Sequence, residues 1–177
     1  MRKLRPIEMQ RLSVEQFHAA DKIPLTVVLD NVRSLHNVGS VLRTCDAFRV
    51  NAVYLCGITA TPPHPDIHKT ALGAEDSVSW HYFADTKEAV RQLKSQGVRV
   101  MAVEQAQGSV LMQHMQADSD TAYAVVLGNE VKGVAQEVID MADGCIEIPQ
   151  FGTKHSLNVS VTAGIVIWEM ARQLLRL

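Results

Sequence analysis

No stretch of this sequence reaches the roughly 18 consecutive apolar residues that a membrane-spanning helix needs. The richest candidate, Val159 to Trp168, is too short and is interrupted by Ser160, Thr162 and Gly164, so no membrane association is expected. The N-terminal Met-Arg-Lys-Leu-Arg-Pro lacks the apolar region of a secretory signal, so no such signal is expected. Cysteine is scarce. Cys45, Cys56 and Cys145 have no CxxC spacing and lie among apolar residues, which points to core-filling thiols and a reducing, cytoplasmic location. Neither charge dominates: the net charge of −2 excludes bulk attraction to nucleic acid, so any such partner must meet a local basic surface.

Two glycine motifs of nucleotide-binding folds are also missing. There is no GxGxxG, and the first turn, Asp30-Asn31-Val32-Arg33-Ser34, contains no glycine. Gly128 and Gly133 have P-loop spacing, but Val134 and Ala135 stand where phosphate and magnesium contacts need lysine and a hydroxyl. His64 and His68 are four residues apart, with Pro65 between them and no third ligand in view, so no metal site is expected.

What is present is a chain of 177 residues, 47% hydrophobic, long enough for one domain with a substantial core. Residues 1–24 read as an extension. Ser13-Val14-Glu15-Gln16 is a capping box that starts a short helix ending before Pro24. Strands are expected at Leu25–Leu29, Ala52–Cys56, Val78–Phe83, Val98–Val103, Ala122–Leu127 and Cys145–Ile148. Helices are expected at Val38–Phe48, from Asp85 or Thr86 to Gly97, at Ala135–Met141 and at Leu157–Leu175, with a short helical piece at Val110–Met115 capped by Ser109. Ile58–Thr70 carries Pro62, Pro63 and Pro65 and reads as an ordered loop. Apolar strands without alternation, separated by helices, predict an α/β fold: a parallel sheet with helices on both faces.

Three segments repeat one logic, in which a buried strand ends, a glycine-bearing turn follows and a helix begins. They are Asn37-Val38-Gly39-Ser40-Val41-Leu42-Arg43, Leu127-Gly128-Asn129-Glu130-Val131-Lys132-Gly133, and Ile148-Pro149-Gln150-Phe151-Gly152 leading into Ser156-Leu157-Asn158-Val159-Ser160-Val161. Ligands of open α/β sheets bind outside the carboxyl ends of the strands, so the three segments predict one composite site. Asn37 and Arg43 are about 600° apart around a helix. Asn37 is therefore expected at the helix N-cap, with Arg43 projecting from the helix body. Ser156 is expected to cap the last helix, with Asn158 in its first turn. Gly128 combines a tight turn with close backbone approach. Glu130, on its residues alone, is as readily a loop brace as a site residue.

In this order the three segments resemble the SpoU (TrmH-like) RNA ribose 2′-O-methyltransferases of the SPOUT superfamily, from about Leu25 to about Ala171. The resemblance implies a deep trefoil knot spanning about 98–157. It also implies methyl transfer from S-adenosylmethionine to a ribose 2′-hydroxyl of tRNA or rRNA, without metal, by a homodimer. It assigns Asn37, Arg43, Glu130, Ser156 and Asn158 to catalysis. It assigns the cofactor to three loops: Ala102, Val103 and Glu104; Leu127, Gly128 and Asn129; and Ile148, Pro149, Gln150, Ser156 and Leu157. The alternatives are a base-methylating SPOUT enzyme and an RNA-binding protein without catalysis. The matched asparagines, serine, glutamate and arginine argue against both.

Two basic clusters could meet RNA. Residues 1–11 hold Arg2, Lys3, Arg5 and Arg11; residues 33–49 hold Arg33, His36, Arg43 and Arg49. Arg33, His36, Arg43, Lys69 and His155 are the candidate RNA contacts. In the last helix Val161, Ile165, Trp168, Ala171, Leu174 and Leu175 follow helical spacing while Val159, Val166 and Ile167 widen the apolar surface. A helix apolar on more than one side needs a second cover, which supports the dimer.

Overall fold

A computed structural model describes residues 1–176. Seven parallel strands form one sheet in the order β3-β2-β1-β6-β4-β7-β5. In chain order the strands are β1 (Ile23–Asp30), β2 (Val50–Cys56), β3 (Trp80–Phe83), β4 (Arg99–Val103), β5 (Val110–Leu111), β6 (Tyr123–Leu127) and β7 (Gly144–Glu147). Around them lie α1 (Val14–Ala19), α2 (Leu35–Ala47), α3 (Pro65–Ala71), α4 (Ala74–Ser77), α5 (Thr86–Ser95), α6 (Gln136–Met141) and α7 (Val159–Leu174).

Successive residues of a strand face opposite sides of a sheet, and the central strands are apolar on both. Leu25, Val27, Leu29, Val53, Leu55, Val125 and Leu127 pack into one core with residues of α2, α3 and α7. Their neighbours Val28, Tyr54, Val100, Ala102, Ala124 and Val126 pack into a second core with Ala89, Val90 and Leu93 of α5 and Val138 of α6. This two-sided burial explains why the strands read as continuous hydrophobic runs.

The register of the central strands positions the site. Leu29 pairs with Leu127, Leu127 with Val103, and Val103 with Ile146. Strands β1, β6, β4 and β7 therefore end level with one another, and the segments that follow them converge.

Several expectations need correction. The region expected to be a loop, Ile58–Thr70, contains most of α3, and α4 follows it. His64 caps α3, its Nδ1 accepting from Asp66 N at 3.1 Å, and Pro65 takes the first helical position, which needs no N–H donor. His68 pairs with Glu75 at 2.5 Å. Val110–Met115 is not a helical piece: β5 extends the sheet, and only Met112–His114 forms a 3₁₀ turn. Helix α2 begins at Leu35 under a Ser34 cap, so Asn37 is its third residue and not its cap. Asn158, not Ser156, caps α7. The thiols are core fillers: burial pushes Cys45 and Cys56 up, Cys56 to about 12, and among the described residues all three cysteines are free. No helix of the described residues is long and apolar enough to cross a membrane.

Candidate active site

One hydrogen-bonded chain joins the three motifs. Glu130 accepts from Arg33 N and Ser34 N, each at 3.1 Å, at the start of α2. It also accepts from Asn37 Nδ2 at 3.1 Å. Asn37 Oδ1 in turn accepts from Asn158 Nδ2 at 3.2 Å. Asn158 Oδ1 accepts from Ser160 N at 2.9 Å and Ser160 Oγ at 2.6 Å. These bonds fix each amide orientation: Asn37 can donate to a carboxylate only through its nitrogen, which leaves its oxygen for Asn158. Burial opposes ionisation of Glu130, but donation from Arg33 N, its own N–H, Ser34 N and Asn37 outweighs it and holds the carboxyl below its ordinary value.

A second set of bonds shapes the loop after β6. Asn129 and Gly133 exchange backbone hydrogen bonds at 3.0 and 2.9 Å, closing the turn. Asn129 Oδ1 accepts from Val131 N at 2.9 Å inside the turn, and its Nδ2 donates to Asn31 O at 2.8 Å. Glu104 Oε2 accepts from Val134 N at 3.0 Å. Asp30 is buried at the end of β1, where Oδ2 accepts from Ala135 N at 3.0 Å and Oδ1 accepts from Thr86 Oγ1 at 2.6 Å. Gly133 has φ +70° and its α-carbon faces the Glu104 carboxylate, while Gly128 lies directly against the Gly133–Val134 backbone. At Gly128 a side chain would meet fixed backbone, so packing requires glycine; at Gly133 the positive φ favours glycine, and a side chain would have to displace the Glu104 carboxylate.

Between these loops and the segment after β7 lies a cleft of about 880 Å³. That volume is within the usual range for small-molecule sites, about 300–1,000 Å³. Val103, Leu127, Ile148 and Leu157 line it with apolar surface; Glu104, Gln105, Asn129, Gln150 and Ser156 add polar groups. Gln105 Nε2 donates to His155 O at 2.7 Å, tying the loop after β4 to the loop before α7.

The sequence profile of the SpoU rRNA Methylase family matches residues 24–168. The chain belongs to that family. It is 34% identical over 169 residues to the tRNA (guanosine(18)-2′-O)-methyltransferase of Thermus thermophilus, an alignment covering 96% of this chain and 85% of the relative. It is 33% identical over 150 residues to a 23S rRNA (guanosine-2′-O-)-methyltransferase of Neisseria meningitidis, covering 85% of this chain and 59% of that relative. Among solved structures, the TrmH/SpoU tRNA-modifying enzyme of A. aeolicus superposes with a TM-score of 0.80 at 28% identity, covering 92% of this chain and 83% of that one. An AdoMet-bound rRNA methyltransferase from Sinorhizobium meliloti gives a TM-score of 0.80 at 28% identity, covering 89% and 60%.

In this SpoU chain the expected site residues do not all fall together. Asn37, Glu130 and Asn158 form the bonded chain. Val103, Glu104, Leu127, Gly128, Asn129, Glu130, Ile148, Gln150, His155, Ser156 and Leu157 line the cleft. Ala102 is buried within β4, and Pro149 is not among the lining residues. Arg43 stands apart. Among the described residues it lines two further depressions on the outer side of α2, one with Lys69, Thr70 and Phe48. Arg33 and His36 are exposed near the start of α2. Lys69 pairs with Asp66 at 2.7 Å. Sequence reasoning missed Asp30, Asn31 and Gln105. A signal for Asp30 existed: a carboxylate closing an otherwise apolar buried strand must find partners.

Proposed function

We propose that the protein transfers a methyl group from S-adenosylmethionine to a ribose 2′-hydroxyl in structured RNA, tRNA or rRNA. The bonded chain Glu130–Asn37–Asn158 beside the cleft is the observation that carries this reading. The cleft's composition fits the cofactor. Leu127, Ile148 and Leu157 offer walls for adenine, and the Gly128 backbone lets a ligand approach the end of β6 closely. The loop held by Asp30, Glu104 and Asn129 keeps that surface fixed before anything binds. S-adenosylmethionine brings an activated methyl on a sulfonium, a good leaving group, so no metal is called for.

The protein must then hold the hydroxyl in line and help its proton leave. Asn37 and Asn158 are suited to positioning because their amides are locked. A guanidinium offers hydrogen-bond donors and no acceptor, which suits Arg43 to stabilising negative charge and not to acting as the base. Its role is to favour the alkoxide electrostatically, with a substrate phosphate available as proton acceptor.

Arg43 and the cleft are brought together by a homodimer. Val161, Ile165 and Trp168 form an exposed apolar stripe on α7, at 51, 38 and 48% exposure. The stripe runs from the cleft, which Thr162 lines, to Trp168, whose ring is 5.7 Å from that of Phe48 beside Arg43. Two copies paired across antiparallel α7 helices would set the cleft end of one against the Arg43 end of the other. A two-fold interface buries the same patch on both copies, as this stripe requires. The sheet order, which returns β6 between β1 and β4 and β7 between β4 and β5, supports a knotted segment over about 98–157 in a single domain. A cytoplasmic location accords with free thiols and an RNA substrate.

Titration calorimetry tests the cofactor assignment: one S-adenosylmethionine site per chain is expected without added metal, and no measurable binding of cofactor or its demethylated product would overturn it.

A further inference from the structure

The loops around the cleft are not held alike. The loop after β6 is pinned from several sides: by the paired Asn129–Gly133 backbone, by Glu104 at Val134 N and by Asp30 at Ala135 N. The segment between β7 and α7 is fixed at its ends. Ile148 packs on the core at one end, and the Asn158 cap with buried Val159 closes the other. Between them residues 151–157 are exposed, Phe151 to 95%. Among the described residues, 149–157 make one hydrogen bond, in which His155 O accepts from Gln105 Nε2 at 2.7 Å. Around Gly152 there is open space, with no atom within 4 Å of an added methyl group.

Gln105 is the fixed half of this contact. Its N–H donates to Glu104 Oε1 at 2.8 Å, and the other oxygen of the same carboxylate accepts from Val134 N at 3.0 Å. The side chain therefore reaches out from the pinned side of the cleft. A carbonyl can only accept, so the amide nitrogen must face His155. Gln105 and His155 both line the cleft, together with Gln150, Ser156 and Leu157 of the loosely held segment. The bond thus links two walls of a volume of about 880 Å³. A segment with few buried contacts and one exposed bond opens at low free energy, unlike the sheet to which it is attached.

We propose that Gln105 is a latch: its bond to His155 O closes the 149–157 segment over the cleft and sets the rates at which S-adenosylmethionine enters and its demethylated product leaves. Gln105 is a positioning residue, acting through the segment it holds. The inference rests on the cofactor reading and adds to it a moving part and the residue that controls it. A bond made equally in the empty and the loaded cleft shifts no binding equilibrium. It slows entry and exit together, which separates a latch from a group that shapes the pocket.

The test measures association and dissociation rates of S-adenosylhomocysteine, the demethylated product, on the immobilised full chain by surface plasmon resonance. Gln105→Met keeps the length of the side chain and removes the donor. It should raise both rates about two- to tenfold, the range that one hydrogen bond implies. Kd should change less than either rate, and Tm should match the parent's. Gln105→Lys keeps a donor of similar reach and should stay close to the parent. Parent rates in Gln105→Met overturn the proposal, as does a lysine variant as fast as the methionine one. A weaker Kd arising from slower association would assign the bond to pocket shape, and faster rates with a lowered Tm would assign it to the fold; either result overturns the latch. A parent that binds neither S-adenosylmethionine nor its product overturns the cofactor reading and the latch together, whereas binding with rates insensitive to Gln105 overturns the latch alone.

Discussion

Asn37 and Asn158 lie 121 residues apart and share a hydrogen bond of 3.2 Å, Asn158 Nδ2 donating to Asn37 Oδ1. This bond joins the first turn of α2 to the cap of α7. With Glu130 on the other side of Asn37, it turns three loops into one rigid corner beside the cleft. Rigidity matters because misplacing a reacting hydroxyl by about 1 Å can cost about a hundredfold in rate.

Asn37→Ala and Asn158→Ala should each lower kcat/KM for methyl transfer by tenfold or more, the consequence of leaving a partner unsatisfied at a cost of about 1–3 kcal/mol. Their effects should not add. A double-mutant cycle on kcat/KM should return a coupling of about 0.5–3 kcal/mol. Strict additivity would show that the bond does not transmit between the motifs.

Glu130 gives a pH signature. Its folded carboxyl is held below its ordinary value, so its contribution is fully present above the unfolded value of about 4.3 and disappears as pH falls through the folded one. Other carboxylates, including Asp143 and Glu169, are also held low, so the parent alone cannot isolate the effect. The stability difference between parent and Glu130→Gln, measured by thermal unfolding, should be constant from neutral pH down to about 5 and shrink below it. A difference that grows on acidification would contradict the assignment.

Much of this was legible in the sequence, for identifiable reasons. Strands such as Leu25–Leu29 and Tyr123–Leu127 are buried on both faces, so their apolar runs were unambiguous. The motifs were legible because polar residues follow those runs. The caps were misread because Ser34 and Asn158 compete with equally good neighbours: Asn37 and Ser156 are both capping residue types, and only tertiary partners decide. Asn37 is drawn into the helix because Glu130, 93 residues away, accepts its side-chain N–H. Helix α3 was hidden by prolines, although Pro65 at a first helical position starts a helix. The distance of Arg43 from the cleft depends on which face of α2 it occupies, which residue spacing alone leaves open to either partner.

Gly133→Ala combines φ +70° with a collision against the Glu104 carboxylate. It should destabilise the fold by about 1–3 kcal/mol and weaken cofactor binding, since Glu104 and the 129–133 turn both line the cleft. Gly152 has no atom within 4 Å of an added methyl group. Gly152→Ala is the control and should leave both quantities close to the parent's. Equal effects at the two positions would mean that the loop is looser than its hydrogen bonds indicate.

Ile165→Asp places a charge in the middle of the exposed α7 stripe. In sedimentation equilibrium at micromolar concentration the parent should have twice the chain mass of 19.5 kDa and the variant the single mass. Methyl transfer should fall as the dimer dissociates while cofactor binding to each chain persists. A parent that sediments as a single chain would remove the dimer and with it the proposed approach of Arg43 to the cleft.

The central claim is transfer of methyl to a ribose 2′-hydroxyl, and alkaline hydrolysis tests it most directly. RNA cleaves in base because the free 2′-hydroxyl attacks the adjacent phosphate, so a 2′-O-methyl blocks cleavage at its own position. Total RNA labelled by the protein with methyl-tagged S-adenosylmethionine should give alkali-resistant dinucleotides that carry the label, and their digestion should yield a 2′-O-methylnucleoside. Arg43→Ala should lose this product while still binding cofactor. Label recovered in alkali-released mononucleotides, on a base, would contradict the account.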